Sequence, residues 1–158
     1  MMVDISGRDD YFCCGREKHM KKITRFGVSL ERGLLNKFDD LIEQIGYGNR
    51  SEAIRDLIRE KLIEEEWKDE DKECVGILGL VYNHETREIT ETLNRIQHQH
   101  IDIVVTSTHI HLDHHNCLEV ILLRGRSTLI RKISHMLIST KSVKHGKLLM
   151  TTTGRDID

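Results

Sequence analysis

Residues 107–120 read S-T-H-I-H-L-D-H-H-N-C-L-E-V, which places four histidines and one cysteine within fourteen positions. Imidazole and thiolate are borderline and soft donors that suit a late first-row divalent metal; a planar arrangement points to nickel(II) or copper(II), a tetrahedral one to zinc. His109 and His111 are two residues apart, so on a strand their side chains share a face, and a turn over 112–116 returns Cys117 to the adjoining strand. Three donors leave one coordination position over. Water there, with Glu119 or Asp113 as nominal base, would make a metal-dependent hydrolase. A protein donor there would make a sensor, and Q-H-Q-H at 97–100 supplies candidates. His114 and His115 fall in the turn and read as solvated or supporting groups. His84, His135 and His145 have no partner nearby in sequence and read as structural, and Cys74 reads as a linker or strand-edge residue. Cys13 and Cys14 with His19 read as an accidental grouping in an N-terminal extension rather than a second metal site.

The elements that must position this cluster follow from periodicity. Val75–Tyr82 is rich in strand formers, and Ile89, Leu93 and Ile96 repeat at helical spacing within 85–98. Ile101–Leu112 and Cys117–Arg124 read as strands, Ser127–Ser139 as a helix and Lys147–Thr152 as a last strand. The order βαββαβ is that of a ferredoxin-like split βαβ domain, an antiparallel sheet covered on one face by two helices.

Upstream, residues 23–30 alternate so that Phe26, Val28 and Leu30 share one face while Arg25, Gly27 and Ser29 occupy the other, the pattern of a half-buried strand. Leu34, Phe38, Leu41 and Ile45 then follow helical spacing until Gly46 and Gly48. Asn49-Arg50-Ser51-Glu52 has the form of a capping box opening a second helix, with Ala53, Ile54, Leu57, Ile58 and Leu62 along its apolar stripe. One strand cannot make a sheet, and its cheapest partner is the same strand of a second copy. The resulting two-stranded ribbon fits the major groove of B-DNA with Arg25, Gly27 and Ser29 outward. The backbone N–H groups at Asn49, Arg50 and Ser51 then suit a phosphate. This βαα stretch resembles the ribbon-helix-helix DNA-binding fold, which makes the whole chain α+β.

Composition bounds these readings. With 158 residues the chain holds one domain or two small ones, and two small ones call for mutual or intersubunit packing. No apolar run approaches the roughly 18 residues needed to span a bilayer, and the N-terminus lacks the apolar core of a signal peptide, so a cytoplasmic protein without membrane partners is expected. The net charge of -2 conceals asymmetry. Gly15–Lys37 carries seven basic residues against two acids, and Glu64–Glu73 carries seven acids against two lysines. The expected organisation is an extension over 1–20, a DNA-binding domain over 21–66, a linker over 67–73, a metal-binding domain over 74–154 and a tail over 155–158. Met20 is a candidate alternative start.

Taken together, R-F-G-V-S, G-Y-G-N-R-S-E-A-I-R-D, S-T-H-I-H-L-D-H-H-N-C-L-E-V and V-K-H-G-K make residues 21–154 similar to the nickel-responsive transcriptional regulators, NikR. The resemblance implies a homotetramer, a dimer of dimers, with ACT-type C-terminal domains at its centre and ribbon-helix-helix pairs on its flanks. It implies one Ni(2+) per subunit in a square plane of His109, His111 and Cys117 with His98 of another subunit; His100 competes with His98 if the register slips by two. It gives Arg25 and Ser29 base-reading places, leaves Gly27 without a side chain where relatives can carry a hydroxyl, and allows a secondary cation at Glu52 and Asp56. The implied activity is not enzymatic: nickel favours the state that grips palindromic half-sites on double-stranded DNA, and genes for nickel uptake are repressed. Imidazole and thiol must lose protons to bind, so apparent metal affinity is expected to fall through the histidine range near ~6.5. An ACT-type regulator of another metal or of an amino acid is the alternative; an amino-acid sensor would be indifferent to replacement of Cys117.

Overall fold

The computed structural model describes residues 23–157. The extension with Cys13, Cys14, His19 and Met20 lies outside the described residues. The chain divides into two compact units, the first ending at Phe38 and the second beginning at Asp39.

Helix α1 spans Arg32–Ile45 and α2 spans Arg50–Glu66. Gly46 ends α1 at φ +93°, a conformation that penalises any side chain with a Cβ. Tyr47 N donates to Ile42 O and Gly46 N to Glu43 O, closing the last carbonyls in a Schellman motif. Asn49 caps α2 as its spacing predicts, its Oδ1 accepting from Glu52 N at 2.9 Å. Residues 23–31, expected to include a strand, carry no regular element. A strand is defined by its ladder, and the ribbon expected here draws its second strand from another copy.

The remainder alternates as its periodicity predicts: β1 Glu73–Asn83, α3 Arg87–Gln99, β2 Val104–His111, β3 Asn116–Arg126, α4 Ser127–Ile138 and β4 Val143–Thr151. β2 begins three residues later than expected because Ile103 N and Val104 N both donate to His100 O, a turn that closes the end of α3. The strands form one antiparallel sheet in the order β2-β3-β1-β4. Along β1 burial alternates strictly, with Cys74, Leu78, Leu80 and Tyr82 packed inward. They meet Leu93 and Ile96 of α3 and Ile130, Ile133 and Leu137 of α4 in one core.

The other face of the sheet does not turn polar. Val75, Ile77 and Val81 of β1 and Leu118, Val120 and Leu122 of β3 occupy it, all half-buried, where an antiparallel sheet facing water on one side would alternate apolar with polar. Among the described residues, no helix is long and apolar enough to cross a membrane.

Candidate metal centre

The strand order brings three strand ends to one place. β3 lies between β2 and β1, and its Cys117 is opposite His111 on one side and Tyr82 on the other. His84 follows Tyr82 by two residues, and its backbone N donates to His115 O of the β2–β3 turn. Cys117 Sγ consequently sits 3.3 Å from His111 Nδ1 and 3.2 Å from His84 Nδ1. These three donor atoms lie within 4.8 Å of one another. Donors held at roughly 2.0–2.3 Å from one metal would be about 3.1 Å apart at a right angle and about 3.6 Å apart at a tetrahedral angle. The observed spacing fits two neighbouring ligands on a single ion, so the side chains present suit a late transition metal.

His84, read from sequence as structural, therefore belongs to the cluster. The signal was present in Y-x-H at the end of β1, a period-two pair on the face of Cys117, but it became meaningful only with the strand order. His109 stands beside the cluster, its ring 4.9 Å from that of His111, and is engaged differently. Its Nδ1 is 3.1 Å from Tyr82 Oη, whose hydroxyl donates to Glu119 Oε2 at 3.0 Å. With the phenolic proton committed to the carboxylate, the phenolic oxygen accepts from His109 Nδ1–H, which leaves Nε2 unprotonated, its lone pair available to a metal. Burial and the Glu119 carboxylate push the Tyr82 phenol well above its ordinary range, keeping that proton in place.

Glu119 and Asp113 are both consumed by structure. Glu119 is 4% exposed and also accepts from Gln97 Nε2 at 2.7 Å, tying the last turn of α3 to the strand ends. Asp113 Oδ1 accepts from His115 N and Asn116 N and its Oδ2 from Asn116 Nδ2, each at 2.8 Å. Those bonds hold its carboxyl down to about 2 and make it the clasp of the turn. Burial, with Asp113 and Glu119 nearby, pushes the Cys117 thiol up, so the thiol holds its proton until a cation displaces it. His98 lies exposed in the last turn of α3, outside the cluster, and His100 is the C-cap residue. His115 pairs with Glu85, and His114 is exposed, as turn histidines are expected to be.

The residues read for DNA contact are placed as follows. Arg25, Gly27 and Ser29 are exposed. Arg50 grips Asp39 with two hydrogen bonds of 2.6 Å, which draws the Asp39 carboxyl below its usual value. Ser51 is exposed and its carbonyl accepts from Arg55. Of the pair considered for a secondary cation, Asp56 is taken by Arg59 at 3.0 Å, and Glu52 supplies the backbone N–H bound by the cap.

The fold and donor set define an α+β domain equipped for a transition metal. Comparison with known proteins narrows the class. Residues 75–151 match the family described as the NikR C terminal nickel binding domain. The chain is 53% identical over 135 residues to a "Putative nickel-responsive regulator" of Pyrococcus furiosus, covering 85% of this chain and 98% of that one. It is 54% identical over 138 residues to a protein of the same name from Nitratidesulfovibrio vulgaris, covering 87% and 99%. The chain belongs to the family of nickel-responsive regulators.

Proposed function

We propose that this protein is a DNA-binding repressor that responds to nickel(II), acting on genes for nickel uptake, and that its working form is a homotetramer. The observation that carries the reading is the convergence of a buried thiol and imidazoles at the spacing of adjacent metal ligands, in a chain of this family.

In this reading His109 through Nε2, His111 and Cys117 form three corners of a plane and His98 of a second copy the fourth, one nickel per subunit. The Gln97–Glu119–Tyr82–His109 chain of hydrogen bonds supports it, because it links the helix end that carries His98 to the strand ends that carry the other ligands. A second set, His84, His111 and Cys117 within one chain, is favoured by distance. The two sets separate by substitution: His109→Ala removes most nickel affinity if the first operates, His84→Ala if the second does. The hydrolase reading has lost both of its nominal bases, Glu119 and Asp113, to structural hydrogen bonds.

The tetramer is supported by apolar surface that one chain leaves uncovered. Phe26 and Val28 are 69% and 61% exposed, and Leu41, Ile45, Leu57 and Ile58 are also exposed. Covering a half-exposed side chain of this size contributes roughly 1 kcal/mol, so a symmetric pair burying these six from each copy gains on the order of 10 kcal/mol, comparable with the cost of association. The apolar outer face of the sheet suits a second contact of the same kind. Residues 21–66 then act as the DNA-binding domain, with Arg25, Gly27 and Ser29 on a ribbon made by two copies and Asn49–Ser51 at a phosphate. For Arg50 this means exchanging or sharing Asp39.

A bound metal can only shift an equilibrium by its differential affinity for the competing arrangements. Ligands divided between two copies bind only when the copies are correctly placed, so nickel favours the assembly that reaches two half-sites at once. The test is binding of the metal-free and the nickel-loaded protein to the DNA upstream of its own gene, with the absorption spectrum recorded in parallel. Nickel-dependent binding and a thiolate charge-transfer band, both lost in Cys117→Ser, are expected. Binding indifferent to nickel would overturn the reading.

A further inference from the structure

V-K-H-G-K at 143–147 opens β4, at the opposite edge of the sheet from β2, with a break in register. Val81 of β1 is opposite His145 and Tyr82 is opposite Val143, so Lys144 is an extra residue without a partner across the ladder. Such a bulge takes a side chain out of the alternation of the pleat and re-aims it. Its neighbours fix where it sits. Val143 packs against the core, and Gly146 lets β4 lie close to α4 and β1, since a Cβ there would come within 2.6 Å of Ile138 and 3.0 Å of Leu80. β3 and β4 flank β1 on its two sides, about 10 Å apart at ordinary strand spacing. The exposed Lys144 side chain nevertheless reaches the far strand, where its Nζ donates to Asn116 Oδ1 at 2.6 Å.

Asn116 is the hub of the turn that precedes Cys117. Its carbonyl accepts from Leu112 N and Asp113 N, its N and Nδ2 donate to Asp113, and its Oδ1 takes the lysine, so every polar group it has is engaged. The bonds within 112–116 give the turn its shape. Its place against the sheet comes from outside, through His84 N on His115 O and Lys144 on Asn116. Placement matters because the donors arrive from three strand ends and have to meet one ion. We propose that Lys144 is a positioning residue for metal binding: through Asn116 it holds the β2–β3 turn where Cys117 Sγ and His111 Nδ1 are neighbours. The proposal rests on the reading of Cys117 and His111 as ligands, which both sets considered above share. Where the turn is in place only part of the time, apparent affinity falls by that fraction. An exposed polar contact adds little to global stability, so its effect belongs at the site and not in the melt.

The sign of the effect separates positioning from bare charge. A lysine acting only through its charge repels the incoming cation, so its removal would tighten nickel binding; removing a positioning group weakens it. In the full-length protein, nickel affinity is measured by competition with a chelator while the thiolate charge-transfer band is recorded. Partners that orient metal ligands typically carry 10- to 100-fold in affinity, and Lys144 acts through one intervening residue, so Lys144→Met is expected to weaken nickel binding by about three- to tenfold. The metal-free variant is expected to melt as the parent does. Lys144→Arg, which keeps a long cationic donor, is expected to recover most of the loss. In an Asn116→Ala background Lys144→Met is expected to change nothing further, because its path to the site is already cut. Unchanged or tighter nickel binding in Lys144→Met overturns the proposal. So does a loss that adds in full to that of Asn116→Ala, or a loss that Lys144→Arg shares. If Asn116→Ala does not fold, the sign of the Lys144→Met effect and its rescue by arginine decide. A parent without a charge-transfer band that Cys117→Ser removes overturns the reading of Cys117 as a ligand, and this proposal with it; a band in the parent beside unaltered affinity in Lys144→Met overturns this proposal alone.

Discussion

Two regions of this chain treat their apolar residues in opposite ways. Between 74 and 137 the large apolar side chains of β1, β3, α3 and α4 close on one another, and Leu78, Leu80, Ile121, Ile130 and Leu137 are wholly buried. Between 23 and 62 the same residue types stand half in water, with Ile42 and Ala53 the buried apolar positions of that stretch. Both stretches show equally clear amphipathic spacing. The difference lies in what each can reach: the βαββαβ order brings two helices back onto its own sheet, whereas the described stretch before residue 67 holds α1 and α2 and no sheet of its own. The first region can fold as a chain and the second only as a pair, in the reading proposed above.

The largest effects should separate these two behaviours. Ile133→Ala, at 1% exposure in the α4 core, is expected to cost about 2–5 kcal/mol through lost contacts and a residual cavity. The loss should appear in denaturant unfolding of the sheet domain at every protein concentration. Leu57→Ala, at 54% exposure on α2, should instead make assembly and DNA binding more dependent on protein concentration while leaving that sheet transition within about 0.5 kcal/mol. Equal and concentration-independent losses in both variants would contradict the contrast.

A pH series should distinguish the regions next. In the ligand sets proposed above the metal takes Cys117 as its thiolate, and the thiol is held above its ordinary value by burial and by Asp113 and Glu119. Binding through this sulfur would then release its proton. Apparent nickel affinity should rise by about tenfold per pH unit from this proton alone, and fall correspondingly with acid. Isothermal titration in buffers of different ionisation enthalpy counts the proton. A pH-independent affinity would remove Cys117 from the ligand set.

The smallest expected effect is local to the other region. Asn49→Ala removes the side-chain acceptor for Glu52 N and should cost about 1 kcal/mol of α2 stability. Thermal melting checks the stability, and the nickel-binding isotherm should not move. A shift in the isotherm of tenfold or more would show that the α2 N-terminus and the metal site are coupled.

Much of this architecture was legible in residues 32–66 and 73–151 because its signals are local. Gly46 and Asn49 mark a helix end and start through backbone chemistry that involves a handful of neighbours. The alternation along V-G-I-L-G-L-V-Y marks a strand whatever packs against it. His111 and Cys117 were legible as a pair because a short hairpin turn fixes their register. His84 was not, although it lies as near to Cys117 as His111 does. Its place depends on β1 lying beside β3, a pairing across more than thirty residues that no local pattern encodes. The expected strand at 23–30 shows the converse: the alternation is present, yet residues 23–31 carry no regular element, because a ladder needs a partner that local pattern does not supply.

From residue 32 onward the sequence by itself determined the kinds and order of the elements, and it also determined the cap at Asn49, the donor types around residues 109–117 and the family, since these rest on local backbone preferences and on residue identity. The tertiary structure decided which donors meet, that Tyr82 and Glu119 set the free nitrogen of His109, and that Trp67, within an acidic stretch, is buried with its indole N–H on Thr151 O. Those outcomes depend on strand order and close packing, where one neighbour 3 Å away outweighs any number of residues nearby in sequence.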